Sequence, residues 1–137
     1  MASRPTDIRA HPPAMVCVVD PDPLVRRKVA GLLCPLGATV EGYATAGELL
    51  ARLQSAVPAC IIVENRLPDM PGLALLQELR ARGLRIPTIM LSGDDDVSGA
   101  VSAMRAGAID FIEKPFIDRA LVTQVAPIID AGGRPPG

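Results

Sequence analysis

Five times between residues 15 and 127, a short apolar run rich in β-branched residues is followed by a segment with helical spacing. This alternation limits the fold more than any other feature. "MVCVVD" (15–20) is a continuous apolar run, the mark of a strand buried on both faces. In "DPLVRRKVAGLLCPLG", Asp22 can cap a helix, Pro23 takes its first position, and Val25, Val29, Leu32 and Leu33 form the stripe. "ATVEGY" (38–43) is a second strand, and "TAGE" (45–48) is a capping box that opens a helix lined by Leu49, Leu50 and Leu53. "ACIIVE" (59–64) is the third strand, and "GLALLQELRARG" (72–83) is a helix stopped by Gly83. "RIPTIML" (85–91) and "DDVSGAVSAMRAG" (95–107) form a fourth pair, with Val97, Ala100, Val101 and Met104 on one helical face. "AIDFIE" (108–113) is a short fifth strand, and "IDRALVTQVA" (117–126) is a last helix that Pro127 should end or kink.

Five βα units of this kind predict an α/β domain, a parallel five-stranded sheet with helices on both faces. Right-handed connections then bring ligands to the carboxyl ends of the strands, near a switch in strand order. The residues at those ends are Asp20 and Asp22, Glu64, Ser92 and Lys114. Two or three acids, a hydroxyl and a lysine should therefore share one small area.

The flanks lack this pattern. Residues 1–14 mix prolines with polar residues and read as a disordered arm, residues 131–137 read as a flexible tail, and the domain spans 15–130. Fourteen Lys and Arg nearly cancel fifteen Asp and Glu, so nothing marks the chain for direct contact with nucleic acid or an anionic membrane. Cys17, Cys34 and Cys60 sit in apolar surroundings without metal-binding spacing and read as small buried hydrophobes of a reducing compartment. No apolar stretch approaches a membrane span and no signal-peptide core is present, so a soluble, cytoplasmic protein is expected.

The order of "VVDPDP", "VENRLPDMPG", "IMLSG", "AMRAGAIDF" and "EKPF" resembles the receiver domain of two-component response regulators, over about 15–127. The resemblance implies a flavodoxin-like (βα)5 fold with strand order 2-1-3-4-5, and a signalling domain rather than an enzyme. In that family two acids after the first strand and an aspartate after the third hold Mg²⁺, and the aspartate takes a phosphoryl group from a histidine kinase. A Ser or Thr after the fourth strand and a Lys after the fifth contact the phosphoryl oxygens. Ser92 and Lys114 match those positions, Pro115 matches a cis proline, and Phe111 matches the aromatic switch position. Arg105, Asp110, Glu113 and Arg119 fall on the face of the fourth helix, fifth strand and last helix, which the family uses for homodimers and partners.

Two departures strike the chemistry. Pro21 stands where the second acid belongs, and Glu64 stands where the phosphorylated aspartate belongs. Proline brings no side-chain oxygen, so a ligand to Mg²⁺ is lost and Asp20 is left as a vestige of the metal site, with Asp22 one residue further on. The extra methylene of Glu64 carries its carboxylate about 1.5 Å deeper. A misplacement of about 1 Å can slow a transfer step by about a hundredfold, and losing the metal removes further stabilisation.

The expectation is a degenerate receiver that binds no cofactor and signals through protein contacts, with a kinase or a downstream effector as partner. At about 4 Å and an effective dielectric near 20, a Glu64–Lys114 contact would gain roughly 4 kcal/mol before desolvation. Alternatives stand beside it. Glu64 is then a plain strand-end acid, or the domain is a phosphoacceptor still active with Mg²⁺, or the chain is an unrelated flavodoxin-like ligand binder. The last lacks the Gly-rich loop that phosphate cradling needs, since "DPDP" follows the first strand. Asp69, between two prolines, reads as a turn residue rather than a displaced acceptor. "DDD" (94–96) reads as helix N-terminal charge, and His11 has no ligand partners in its neighbourhood.

Overall fold

A computed structural model describes residues 13–93, 97–115 and 118–131. His11, "DDD" (94–96), the tail from residue 132 and nearly all of the N-terminal arm lie outside the described residues. The elements alternate strictly: β1 (Ala14–Val19), α1 (Pro23–Leu33), β2 (Ala38–Tyr43), α2 (Ala46–Arg52), β3 (Cys60–Glu64), α3 (Gly72–Ala81), β4 (Thr88–Ser92), α4 (Val97–Arg105), β5 (Asp110–Glu113) and α5 (Asp118–Asp130). A 3-10 turn over Cys34–Leu36 follows α1. All strand pairs are parallel and the order is β2-β1-β3-β4-β5, the expected doubly wound topology.

The sheet separates two apolar layers, and strand periodicity assigns residues to them. Val16, Val18, Cys60, Ile62, Ile89 and Leu91 face α1 and α5, where Val29, Leu33, Leu121 and Val125 pack. Cys17, Val19, Ile61, Val63 and Met90 face α2, α3 and α4, against Leu49, Leu75, Leu76, Leu79 and Ala103. Phe111 is partly buried against this second layer. β1, β3 and β4 are covered on both sides, which is why they are apolar without interruption rather than alternating.

Several local expectations are corrected. β4 begins at Thr88, not at residue 85, because Pro87 has no N–H and joins the sheet only through its carbonyl, which accepts from Ile61 N at 2.9 Å. β5 begins at Asp110, since Ala108 N closes α4 by donating to Ala103 O at 3.0 Å and Gly107 takes φ +104°, a conformation that favours glycine. Pro127 does not end α5, which runs on to Asp130 and buries Ile128 and Ile129 in the core. Cys34 is exposed, because it opens the turn that leaves α1, whereas Cys17 and Cys60 are buried.

Candidate functional site

The carboxyl ends of β1, β3, β4 and β5 converge on a small polar cluster. Asp20 follows β1 and is 1% exposed, Glu64 ends β3 at 6%, and Ser92 ends β4 at 2%. Lys114 follows β5, and its backbone N–H donates to Ser92 O at 2.7 Å. The Lys114–Pro115 peptide bond is cis. The sheet register explains the convergence, since Glu64 lies beside Leu91 and Ser92 beside Glu113.

Each carboxylate oxygen in this cluster has a donor. Lys114 Nζ donates to Asp20 Oδ2 at 2.7 Å and also to Glu64 Oε1. Asp22 N donates to Asp20 Oδ1 at 2.8 Å, and Arg66 N donates to Glu64 Oε2 at 2.7 Å. Buried carboxylates demand this pairing, because an ionised group without partners would be strongly destabilised. For Lys114, burial works against the charged form, but hydrogen bonds from its ammonium to Asp20 and Glu64, with their charges, outweigh it and hold its pKa above the ordinary lysine value. One ammonium between two carboxylates leaves the inner cluster with a formal charge of −1.

Asp22 takes the helix-cap role that the sequence allows it. Its carboxylate caps α1 by accepting from Leu24 N at 2.9 Å, and only its backbone N–H reaches Asp20. Pro21 is exposed beside it. Among the described residues, no group of three or more His, Cys, Asp or Glu side chains is placed to hold a metal ion. The donor set fits Mg²⁺ poorly on chemical grounds. That ion needs about six oxygens near 2.0–2.1 Å, while two carboxylates face each other across a lysine that already neutralises one of them.

The loop after β3 is folded tightly enough to fix Arg66. Gly72 N donates to Asn65 O at 2.7 Å, and Arg66 and Pro71 form an isolated antiparallel bridge. Gly72 lets α3 approach closely here, since a Cβ would stand 2.5 Å from Glu64 O and 2.9 Å from Met90 Sδ.

Two residues of the neighbourhood are not evident from sequence spacing. Arg26, on the first turn of α1, donates from Nη1 to Asp20 O at 2.6 Å and lies across Gly42, where a Cβ would come within 3.0 Å of its Cδ. Asp69 does more than shape a turn: its carboxylate accepts from Ala46 N at 3.1 Å and Gly47 N at 2.9 Å. Those bonds hold its pKa below the ordinary aspartate value. The Asp69 contacts join segments 22 and 23 residues apart, and the Arg26 contact reaches back six residues to a backbone carbonyl, so no local motif signals either.

On the α4 and β5 side, Arg105, Glu113 and Arg119 are exposed, and Asp110 is half-buried with its carboxylate accepting from Phe111 N at 2.8 Å. Val101 and Met104 are exposed on α4. A cavity of about 340 Å³ opens beside the cluster, lined by Leu24, Val25, Lys28, Gly93, Lys114 and Pro115.

A parallel βα sheet in this order, with acids, a serine and a lysine at its carboxyl edge, defines a signalling domain of two-component systems: the chain belongs to the response regulator receiver domain family, whose sequence model matches residues 16–126. In particular it is similar to the transcriptional regulatory protein FixJ of Azorhizobium caulinodans, at 42% identity over 113 residues, 80% of this chain and 52% of that protein. FixJ of Rhizobium meliloti is 37% identical over 120 residues, 88% of this chain and 56% of that protein. The chain thus spans about half the length of the curated relatives it matches. The crystal structure of a response regulator receiver protein from Pseudoalteromonas atlantica aligns with a TM-score of 0.79 at 38% identity, over 85% of this chain and 98% of that one. No described helix is long and apolar enough to cross a membrane.

Proposed function

We propose that this chain is a degenerate receiver that works in two-component signalling without being phosphorylated, with Glu64 occupying permanently the place of the phosphorylated aspartate. The observation that carries this reading is the Lys114 ammonium, which donates to Glu64 Oε1 and Asp20 Oδ2 at once. In the family that lysine meets a phosphoryl oxygen; here a carboxylate built into β3 takes that role. Pro21 adds no ligand, so no divalent ion is required and none is recruited. The domain then acts in the cytoplasm through protein contacts with a histidine kinase or a downstream effector, and does not bind nucleic acid itself. Two surfaces suit such contacts. One is the α4-β5-α5 face carrying Arg105, Asp110, Glu113 and Arg119, which would also serve a homodimer. The other surrounds Leu24, 66% exposed at the start of α1.

The competing reading is a phosphoacceptor still active at Glu64, and the retained Ser92 and Lys114 speak for it. Amide NMR with Mg²⁺ and beryllofluoride separates the two. A passive receiver leaves the amides of Ser92 and Lys114 unshifted, and an acyl-phosphate donor with Mg²⁺ yields no hydroxylamine-sensitive adduct. The double change Glu64→Asp with Pro21→Asp should bring both responses into being. Large shifts in the unaltered protein would overturn the proposal.

A further inference from the structure

We propose that Asp69 is a positioning residue for the pocket: by fastening the loop between β3 and α3 to the amino terminus of α2, it keeps the Arg66 N–H on Glu64 and Glu64 turned toward Lys114. This rests on the reading of the Glu64–Lys114 contact given above and names the part of the chain that maintains it.

The local sequence of α2 already supplies its own start. Thr45 Oγ1 accepts from Glu48 N at 3.2 Å, Glu48 Oε1 accepts from Thr45 N at 3.1 Å, and Thr45 O accepts from Leu49 N at 3.5 Å. Asp69 takes the two remaining N–H groups, those of Ala46 and Gly47, from 23 and 22 residues away. All four donors that a helix start leaves open are then used, two of them by a distant loop. What Asp69 adds beyond the capping box is the attachment of that loop.

The attached loop is short and closed. Its neck is the Arg66–Pro71 bridge together with the Gly72 N to Asn65 O bond, and Asp69 lies at its tip between Pro68 and Pro71. The bridged neck spans only four intervening residues, and the fixed φ of Pro68 and of Pro71 removes two of the loop's torsions, so displacement of the tip is passed to the neck. The neck carries Arg66 N, which is the donor to Glu64 Oε2 at 2.7 Å. Glu64 is longer than the aspartate of its relatives and has an extra torsion to fix, so a second anchor on its far oxygen selects the rotamer that reaches Lys114. The depressed pKa of Asp69 agrees with a carboxylate engaged by two backbone donors.

Backbone amide exchange and the ¹⁵Nζ resonance of Lys114 test the proposal. In Asp69→Ala, exchange at Arg66 should accelerate by about tenfold, beyond any change in global stability. The Lys114 ammonium resonance should move toward that of a free lysine, while amides of Cys60–Val63 keep their protection. Asp69→Asn, which retains one acceptor oxygen, should give a smaller effect of the same sign. If only Ala46 and Gly47 respond, Asp69 is a helix cap and the proposal falls. The unaltered protein gives a second measurement that survives misfolding of the variants. In low urea, the amides of Ala46, Gly47 and Arg66 should open together with one urea dependence, and opening of Arg66 with β3 instead would overturn the proposal. Glu64→Gln separates the two levels of inference. If it leaves the Lys114 resonance unmoved, the Glu64–Lys114 reading fails; if it moves that resonance and Asp69→Ala does not, only the positioning role fails.

Discussion

Glu64 and Lys114, 50 residues apart in the chain, are joined by a hydrogen bond from the ammonium to Oε1, and the same ammonium donates to Asp20. The lysine therefore serves two buried carboxylates. Replacing it with methionine keeps the length of the stem but strands both charges, and removing one partner of a buried ion pair costs about 3–5 kcal/mol. Lys114→Met should lower the urea midpoint accordingly. Adding Glu64→Gln to that variant should restore part of the loss, because one of the stranded charges disappears. Strictly additive effects in this double-mutant cycle would show that the two side chains do not interact.

Much of this cluster is legible in the sequence because strand ends are easy to place. The apolar runs of β1, β3 and β4 stop at Asp20, Glu64 and Ser92, and a parallel sheet brings those ends to one edge. The contact between Glu64 and Lys114 follows from that convergence and from charge. What escapes the sequence is carried by contacts without periodicity. Asp69 reaches α2 across 22 residues, and Arg26 reaches back over the end of β1 to a carbonyl. Asp22 shows a third limit: its spacing fits both a pocket acid and a helix cap, and the Leu24 N–H decides for the cap. Cys34 shows a fourth, since an apolar neighbourhood in sequence says nothing of the turn that exposes it.

Stability should form a plateau bounded by different groups at low and high pH. Glu41 is held below its ordinary value by hydrogen bonds from Arg52 and Tyr43, and Asp69 by those from Gly47 and Ala46. A depressed carboxylate stabilises the fold above its unfolded pKa and loses that contribution as pH falls through the folded one, so the acid limb lies below the ordinary values of 4.5 and 3.8. Burial pushes the thiols of Cys17 and Cys60 from 9.0 up to about 12. Above pH 9 the unfolded chain releases thiol protons that the folded chain keeps, so stability falls by up to about 1.4 kcal/mol per pH unit for each thiol. Lys114, whose pKa is raised, adds to the same limb above its ordinary 10.5. Urea midpoints measured against pH under reducing conditions should show this steep alkaline fall, and a Cys17→Ala, Cys60→Ala double variant should show a lower but flatter one.

Pro127 lies inside α5 on an exposed position, four residues after Thr123, and has no N–H to donate to the Thr123 carbonyl. The helix continues because Ile128 and Ile129 gain burial in the layer shared with α1. Pro127→Ala keeps that burial and supplies the missing donor. The variant should be more stable by about 1–3 kcal/mol, read as a higher urea midpoint with an unchanged slope.

Gly72 tests whether the site depends on how closely α3 approaches the tip of β3. A Cβ at this position would stand 2.5 Å from Glu64 O and 3.0 Å from Asn65 Cα, both backbone atoms that cannot rotate away. Gly72→Ala must therefore push α3 off the strand or push the strand tip toward β4, and overpacking of this kind costs about 1–3 kcal/mol. If α3 yields, stability falls and the Lys114 ammonium resonance stays in place. If the strand tip yields, the Glu64 carboxylate moves with it and the resonance shifts. Met90 Sδ, 2.9 Å from the same point, is the flexible atom, but its movement relieves only the side-chain part of the clash. Because α3 is held through Leu75, Leu76 and Leu79 in the second core layer, whereas Glu64 is the last residue of β3 paired with β4, the strand tip should give way. Gly72→Ala should then lower the urea midpoint and shift Lys114 together, and a midpoint loss with an unmoved Lys114 resonance would place the compliance in the helix instead.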